Sequence, residues 1–168
     1  SYSFPLGDVS VEATGPALAR TYTMETTATL RPGWPSEVTI AETWEQPILR
    51  SGNLLWDALF AMAVQEAREN ETATLNDAAF DTTLDCECYT TGALWNWVWT
   101  RDIAYATDLG LAWLDPLRAA ASLRVKLSEP KGGGAVQVVQ DTGTGGSWPV
   151  STDRVIWALG ARAVLPFL

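Results

Sequence analysis

The hydrophobic period of this chain changes once, near residue 50, and that change restricts it to a mixed architecture. Up to about residue 48 the pattern is that of strands. Arg20 to Leu30 is threonine-rich with rough alternation, and Ser36 to Trp44 alternates more cleanly, with Val38 and Ile40 on one face. Between them Pro32-Gly33-Trp34-Pro35 is a turn signal suited to a hairpin loop. Three or four such strands make an incomplete sheet that needs something to pack against.

From Ser51 the pattern is helical. Asn53 to Arg68 is rich in helix formers and apolar nearly all round in its first half, which predicts a buried helix with Ser51 as its N-cap. Residues 69 to 90 are polar and read as a long loop. Thr100 is expected to cap a second helix, 101–113. Asp115-Pro116 starts a third, with Asp as N-cap and Pro at the first helical position, and it runs to about Ser128. The short gap between the second and third predicts an antiparallel helical hairpin. Lys131 to Gly134 breaks the chain, Ala135 to Gln140 is a short extended piece, and Ser151 caps a fourth helix ending at Val164. The fold class is therefore α+β, with a β portion at 1–48 and a helical portion at 49–168.

Composition excludes several function classes. The 168 residues carry 20 acidic and 11 basic side chains, a net charge of −9. That balance argues against nucleic acid and against anionic membrane surfaces as partners. No stretch reads as a transmembrane helix, and no signal peptide is recognised; secreted and cytoplasmic locations both stay open. There is no histidine, so Ser-His-Asp and Cys-His mechanisms and a histidine-based zinc site are ruled out within the chain. No metal or cofactor is implied. Acid–base work here falls to carboxylates. Cys86 and Cys88 stand two residues apart, too far in an ordinary strand for an easy bridge. They read as two buried or half-buried thiols, although a kinked loop would allow a disulfide.

Two segments share one grammar: aromatic residues, a hydroxyl, then a charged pair opening a helix. The first is Gly92 to Tyr105, with Trp95, Trp97 and Trp99 alternating into Thr100-Arg101-Asp102. The second is Gly145 to Arg154, with Trp148 before Asp153-Arg154. Tryptophan faces stack on the C–H faces of sugars, while Arg and Asp bind neighbouring hydroxyls as charge-assisted partners. The pattern suits a sugar pocket with Trp99 and Trp148 as walls and Arg101, Asp102, Asp153 and Arg154 as its polar grip. The same residues also suit a plainer role as core tryptophans, helix caps and internal ion pairs.

Trp99-Thr100-Arg101-Asp102 resembles the Trp-Thr-Arg-Asp motif of the glucoamylase-like glycosidases, which fold as an (α/α)6 barrel. Gly146-Ser147-Trp148, followed by Asp153 and the next helix, is similar to a second segment of that superfamily, although the family's Arg-Pro pattern is missing. The resemblance spans roughly residues 36 to 165. It implies the end of a β-sandwich followed by the first helical hairpins of an incomplete toroid. It also implies that Arg101, Asp102 and Trp148 line a sugar subsite. The family's catalytic glutamates would fall beyond Leu168, in a missing part of the same enzyme or in a second chain, while Glu42, Glu45, Glu87 and Glu129 read as solvated charges. A non-catalytic carbohydrate-binding or interaction module is the alternative. A lyase or epimerase on an α/α barrel is a third, weakened by the absence of histidine.

Overall fold

The alternation of the first section produces a four-stranded antiparallel sheet in the order β1 (Tyr2–Leu6), β2 (Val9–Thr14), β3 (Thr21–Thr26), β4 (Glu37–Ala41). This is a computed structural model, and it describes residues 2–76, 83–95, 97–128, 135–138 and 153–168. Leu6 pairs with Val9 across the two-residue loop Gly7-Asp8, and Gly7 takes the positive φ of 56° that tight hairpin turns need. In register, Val11 opposes Met24 and Tyr22 opposes Ile40, so every second residue points the same way. That face is the core: Val11, Ala13, Tyr22, Met24 and Ile40 pack with Ala58 and Ala61 of helix α1 (Leu54–Glu69). Each large side chain so buried contributes about 1.5–3 kcal/mol. Val38, expected to share the face of Ile40 in burial, is 36% exposed.

Two expectations for α1 are corrected. The cap is Asn53, whose Oδ1 accepts from the backbone N–H of Leu55 and Trp56, while the Ser51 hydroxyl turns to Asp57. The helix is also not buried all round. Trp56 is 62% exposed, because the buried face runs through Asp57, Ala58, Ala61 and Val64.

The chain divides into two compact units, 1–68 and 69–168, with all but the last residue of α1 on the side of the four-stranded sheet. The second unit opens with a hairpin where a loop was expected. β5 (Glu71–Asn76) pairs antiparallel with β6 (Thr83–Tyr89). Its threonines and acids alternate with few apolar residues, so the strand period is disguised as polarity. Helix α2 (Thr100–Ala106) continues through a π-helical turn (Thr107–Leu111) into α3 (Ala112–Leu114). The expected α-helix is thus interrupted, at a stretch holding the weak helix formers Thr107 and Gly110. Its N-cap position is Trp99 in extended conformation, with no side-chain cap; Thr100 is the first helical residue and fully buried.

Asp115 ends α3 and caps α4 (Pro116–Arg124), accepting from the Arg118 N–H at 3.1 Å, as the Asp-Pro signal predicts. The third helix is four residues shorter than expected, because Leu127–Ser128 (β7) pairs with Gln137–Val138 (β8). Helix α5 (Asp153–Val164) packs against α2 and α4 at Gly160. A Cβ there would lie 2.9 Å from the Ala104 Cα and 3.2 Å from Leu123 Cδ2, so only glycine allows the approach. The Trp157 indole N–H donates to the Leu123 carbonyl at 2.9 Å beside it. The molecule is thus α+β, and the described residues form small antiparallel sheets and four helical rods when α2, the π turn and α3 are counted as one.

Candidate functional site

The tryptophan segment is a tied loop. Thr91 donates through its N–H and its hydroxyl to the Trp97 carbonyl, at 2.8 and 2.9 Å, and its hydroxyl accepts from the Trp99 N–H. Gly92 and Trp95 exchange two backbone hydrogen bonds. The ammonium of Lys126, itself 1% exposed, donates to the Val98 carbonyl at 2.6 Å. Val98 and Thr100 are buried on the same stretch, so the alternation turns Trp95, Trp97 and Trp99 the other way.

The three rings gather as a result. The Trp95 ring centre lies 6.1 Å from that of Trp97 and 5.2 Å from that of Trp99, tilted by 36° and 38°. These separations fall in the favourable range for aromatic pairs. Trp95 is 47% exposed, while Trp97 and Trp99 are half-buried. The Trp99 indole N–H is buried without a hydrogen-bond partner. Arg101 and Asp102 follow on the first turn of α2, and both side chains are exposed. The arrangement offers an apolar ring surface with charged donors and acceptors immediately after it in the chain.

The second segment is only partly described. Trp148 lies outside the described residues, as does Ser151. Asp153 is the first residue of α5, and Arg154, next on that helix, is half-buried. The contact of α2 with α5 runs through Ala104 and Gly160; Arg154 stands six residues before that point, about 9 Å along the helix axis.

The first unit holds a second polar constellation that the sequence reading passed over. Glu42, expected to be a solvated charge, is 8% exposed. Its carboxylate accepts from both terminal nitrogens of Arg50, at 2.8 and 2.5 Å, from the Tyr22 hydroxyl at 3.0 Å and from the Arg20 N–H at 3.0 Å. Burial pushes the Glu42 pKa up, but these hydrogen bonds outweigh it and hold the carboxyl below its usual range. The hydrogen bond to Glu42 raises Arg50, and burial raises Tyr22. Asp57, 2% exposed, accepts from Arg20 Nη1 at 3.3 Å and from the Ser51 N–H and hydroxyl. An open cleft of about 400 Å³ lies here, lined by Arg20, Arg50, Gly52, Leu54 and Asp57. Arg50 also gives hydrogen bonds to the carbonyls of Ala17 and Leu49 and to the Tyr22 hydroxyl, so its fork is spent on the protein. One signal was legible: Glu42, just past the end of β4, is in phase with Ile40.

A further unexpected feature is a disulfide. Cys86 and Cys88, read as thiols, are bridged. Thr72 pairs with Cys88 but Thr74 with Asp85, so β6 carries one extra residue, and Glu87 takes a φ of +44°. This bulge brings the two Cα atoms to 5.1 Å, within disulfide reach.

Among the described residues no group of three or more His, Cys, Asp or Glu side chains is arranged to hold a metal ion, and no helix is long and apolar enough to cross a membrane. No protein-family model matches the sequence, and comparison with curated proteins and with solved structures found no match either.

Proposed function

We propose that Trp95, Trp97, Trp99, Arg101 and Asp102 form a carbohydrate subsite, and that the chain is part of a glycoside hydrolase. The carrying observation is the ring cluster with its half-exposed face, leading directly into an exposed Arg–Asp pair. In this reading the rings take the apolar face of a sugar, Asp102 accepts from one hydroxyl and Arg101 donates to its neighbour. In the same reading Trp148 supplies a second aromatic wall, and Asp153 and Arg154 add to the polar grip. The acid and base that cleave the glycosidic bond belong to sequence outside these 168 residues: one carboxylic acid protonates the leaving oxygen and a second carboxylate activates water or attacks. The sheet is then the end of a β-sandwich and the helices are the first hairpins of an (α/α)6 toroid.

The test titrates the chain with a panel of α- and β-linked oligosaccharides, followed by tryptophan fluorescence and by release of reducing ends. Saturable binding is expected, weakened at least about tenfold in Asp102→Asn while the melting temperature holds. Loss of folding in that variant makes Asp102 a structural residue and ends the subsite reading. Binding without cleavage, even with the remaining enzyme sequence supplied, selects a non-catalytic carbohydrate-binding module instead.

A further inference from the structure

The Cys86–Cys88 bridge closes a ring around a single residue, and that makes it a poor structural staple. A disulfide stabilises largely by restricting the unfolded chain, and the effect is smallest for the shortest loops. This one also holds Glu87 in the left-handed region, at φ +44°, a conformation that costs a non-glycine residue free energy. The bridge flanks Glu87 on both sides. The Glu87 carboxylate meets Arg118 of α4 at 3.1 Å. Arg118 is a hub: it also reaches Glu71 of β5 at 3.5 Å and Asp115 at 3.4 Å, and its guanidinium lies 5.9 Å from the Tyr89 ring centre. Next to it, the Tyr89 N–H donates to the Ser122 hydroxyl at 2.7 Å. The bulge and its disulfide therefore sit where the β5–β6 hairpin is clamped to α4. Cys86 is half-buried and Cys88 fully buried, so an incoming thiol meets the Cys86 sulfur first.

We infer that Cys86–Cys88 is a thiol–disulfide exchange site whose oxidation state sets the clamp between β6 and α4. The reductant is a small thiol. Its thiolate attacks Cys86 Sγ, the S–S bond breaks, and Cys88 leaves as a thiolate that takes a proton. A second thiolate attacks the reductant's sulfur in the mixed disulfide, releasing Cys86 and the oxidised reductant. Two thiols are oxidised by two electrons in all, and the protein disulfide is reduced by two. Freed of the ring, Glu87 returns to the extended region, the bulge is redistributed and Glu87 swings away from Arg118.

The experiment incubates the intact chain in reduced and oxidised glutathione at graded ratios, without denaturant. Each sample is quenched with N-ethylmaleimide, and its mass is read together with hydrogen exchange of the peptides 83–89 and 116–124. Two adducts are expected under reducing ratios and none under oxidising ones. Exchange in both peptides should rise about tenfold on reduction and return on reoxidation. The variant with both Cys86→Ser and Cys88→Ser should show the fast exchange at every ratio. A pair that is labelled only after denaturation is a structural cross-link, a pair labelled at every ratio forms no bridge, and labelling with unchanged exchange in 116–124 means there is no clamp. Each of these three outcomes overturns the inference.

Discussion

In the first unit Glu42 and Asp57 are buried with arginine partners, whereas in the second Arg101 and Asp102 of α2 are exposed. Glu42 pairs with Arg50, and Asp57 with Arg20. Among the described residues the buried positions of α2, α4 and α5 are uncharged: Thr100, Ile103, Ala104, Ala119, Ala120, Ser122, Leu123, Gly160 and Val164. A charge whose hydrogen bonds are all answered by its own chain is structure; a charge left at the surface beside an aromatic cluster is the better candidate for a ligand. Glu42 and Asp102 thus stand in opposite environments, although both are carboxylates with an arginine as neighbour.

Four substitutions and one titration test that contrast. Glu42→Gln should cost most, about 3 kcal/mol, because it leaves Arg50 half-paired in a buried network. Urea unfolding measures it, and a loss below about 1 kcal/mol would put Glu42 with the surface charges. Gly160→Ala should cost about 2 kcal/mol, since the new methyl meets the Ala104 backbone and Leu123; thermal unfolding reads this loss. Ser122→Ala should cost about 1.5 kcal/mol, because the Tyr89 N–H loses its acceptor. Calorimetry with Ser122→Thr as the control would show whether the hydroxyl or the volume matters. Asp102→Asn should change stability by less than about 0.5 kcal/mol, as an exposed position does. A larger loss would erase the distinction between the two units.

The pH dependence sharpens the same point. The folded pKa of Glu42 is depressed below its ordinary 4.5. The unfolded chain therefore binds the proton first as pH falls. The stability contributed by Glu42 is complete above the unfolded value and is lost as pH drops through the folded one. Wild-type stability should fall more steeply than that of Glu42→Gln from about pH 5 downward, as followed by urea midpoints at each pH.

How much of this was legible depends on where the signal was local. Asp115-Pro116 marks its helix because a cap and a fixed φ act within one turn. The strands β3 and β4 announce themselves through alternation around a turn. Trp95, Trp97 and Trp99 can be expected to share a side, since extended residues of one parity do. The hairpin β5–β6 was hidden because Thr72, Thr74, Asp85 and Glu87 carry the strand period on polar side chains. The disulfide depended on a bulge and on the φ of one glutamate, neither of which composition encodes. Glu42 needed Arg50 and Tyr22 to converge on it from eight residues downstream and twenty upstream. Such meetings belong to the tertiary structure.

The tryptophan cluster also supplies the chain with an optical instrument of its own. Indole rings with centres 5.2 and 6.1 Å apart are close enough to couple their strong far-ultraviolet transitions, so the cluster should add a paired signal to the far-ultraviolet dichroism. The chain has nine tryptophans, and such a couplet needs rings held as close as these. Any molecule settling on the half-exposed Trp95 face perturbs one member and so alters the signal of all three. Occupancy there can be followed by light alone, with no label attached.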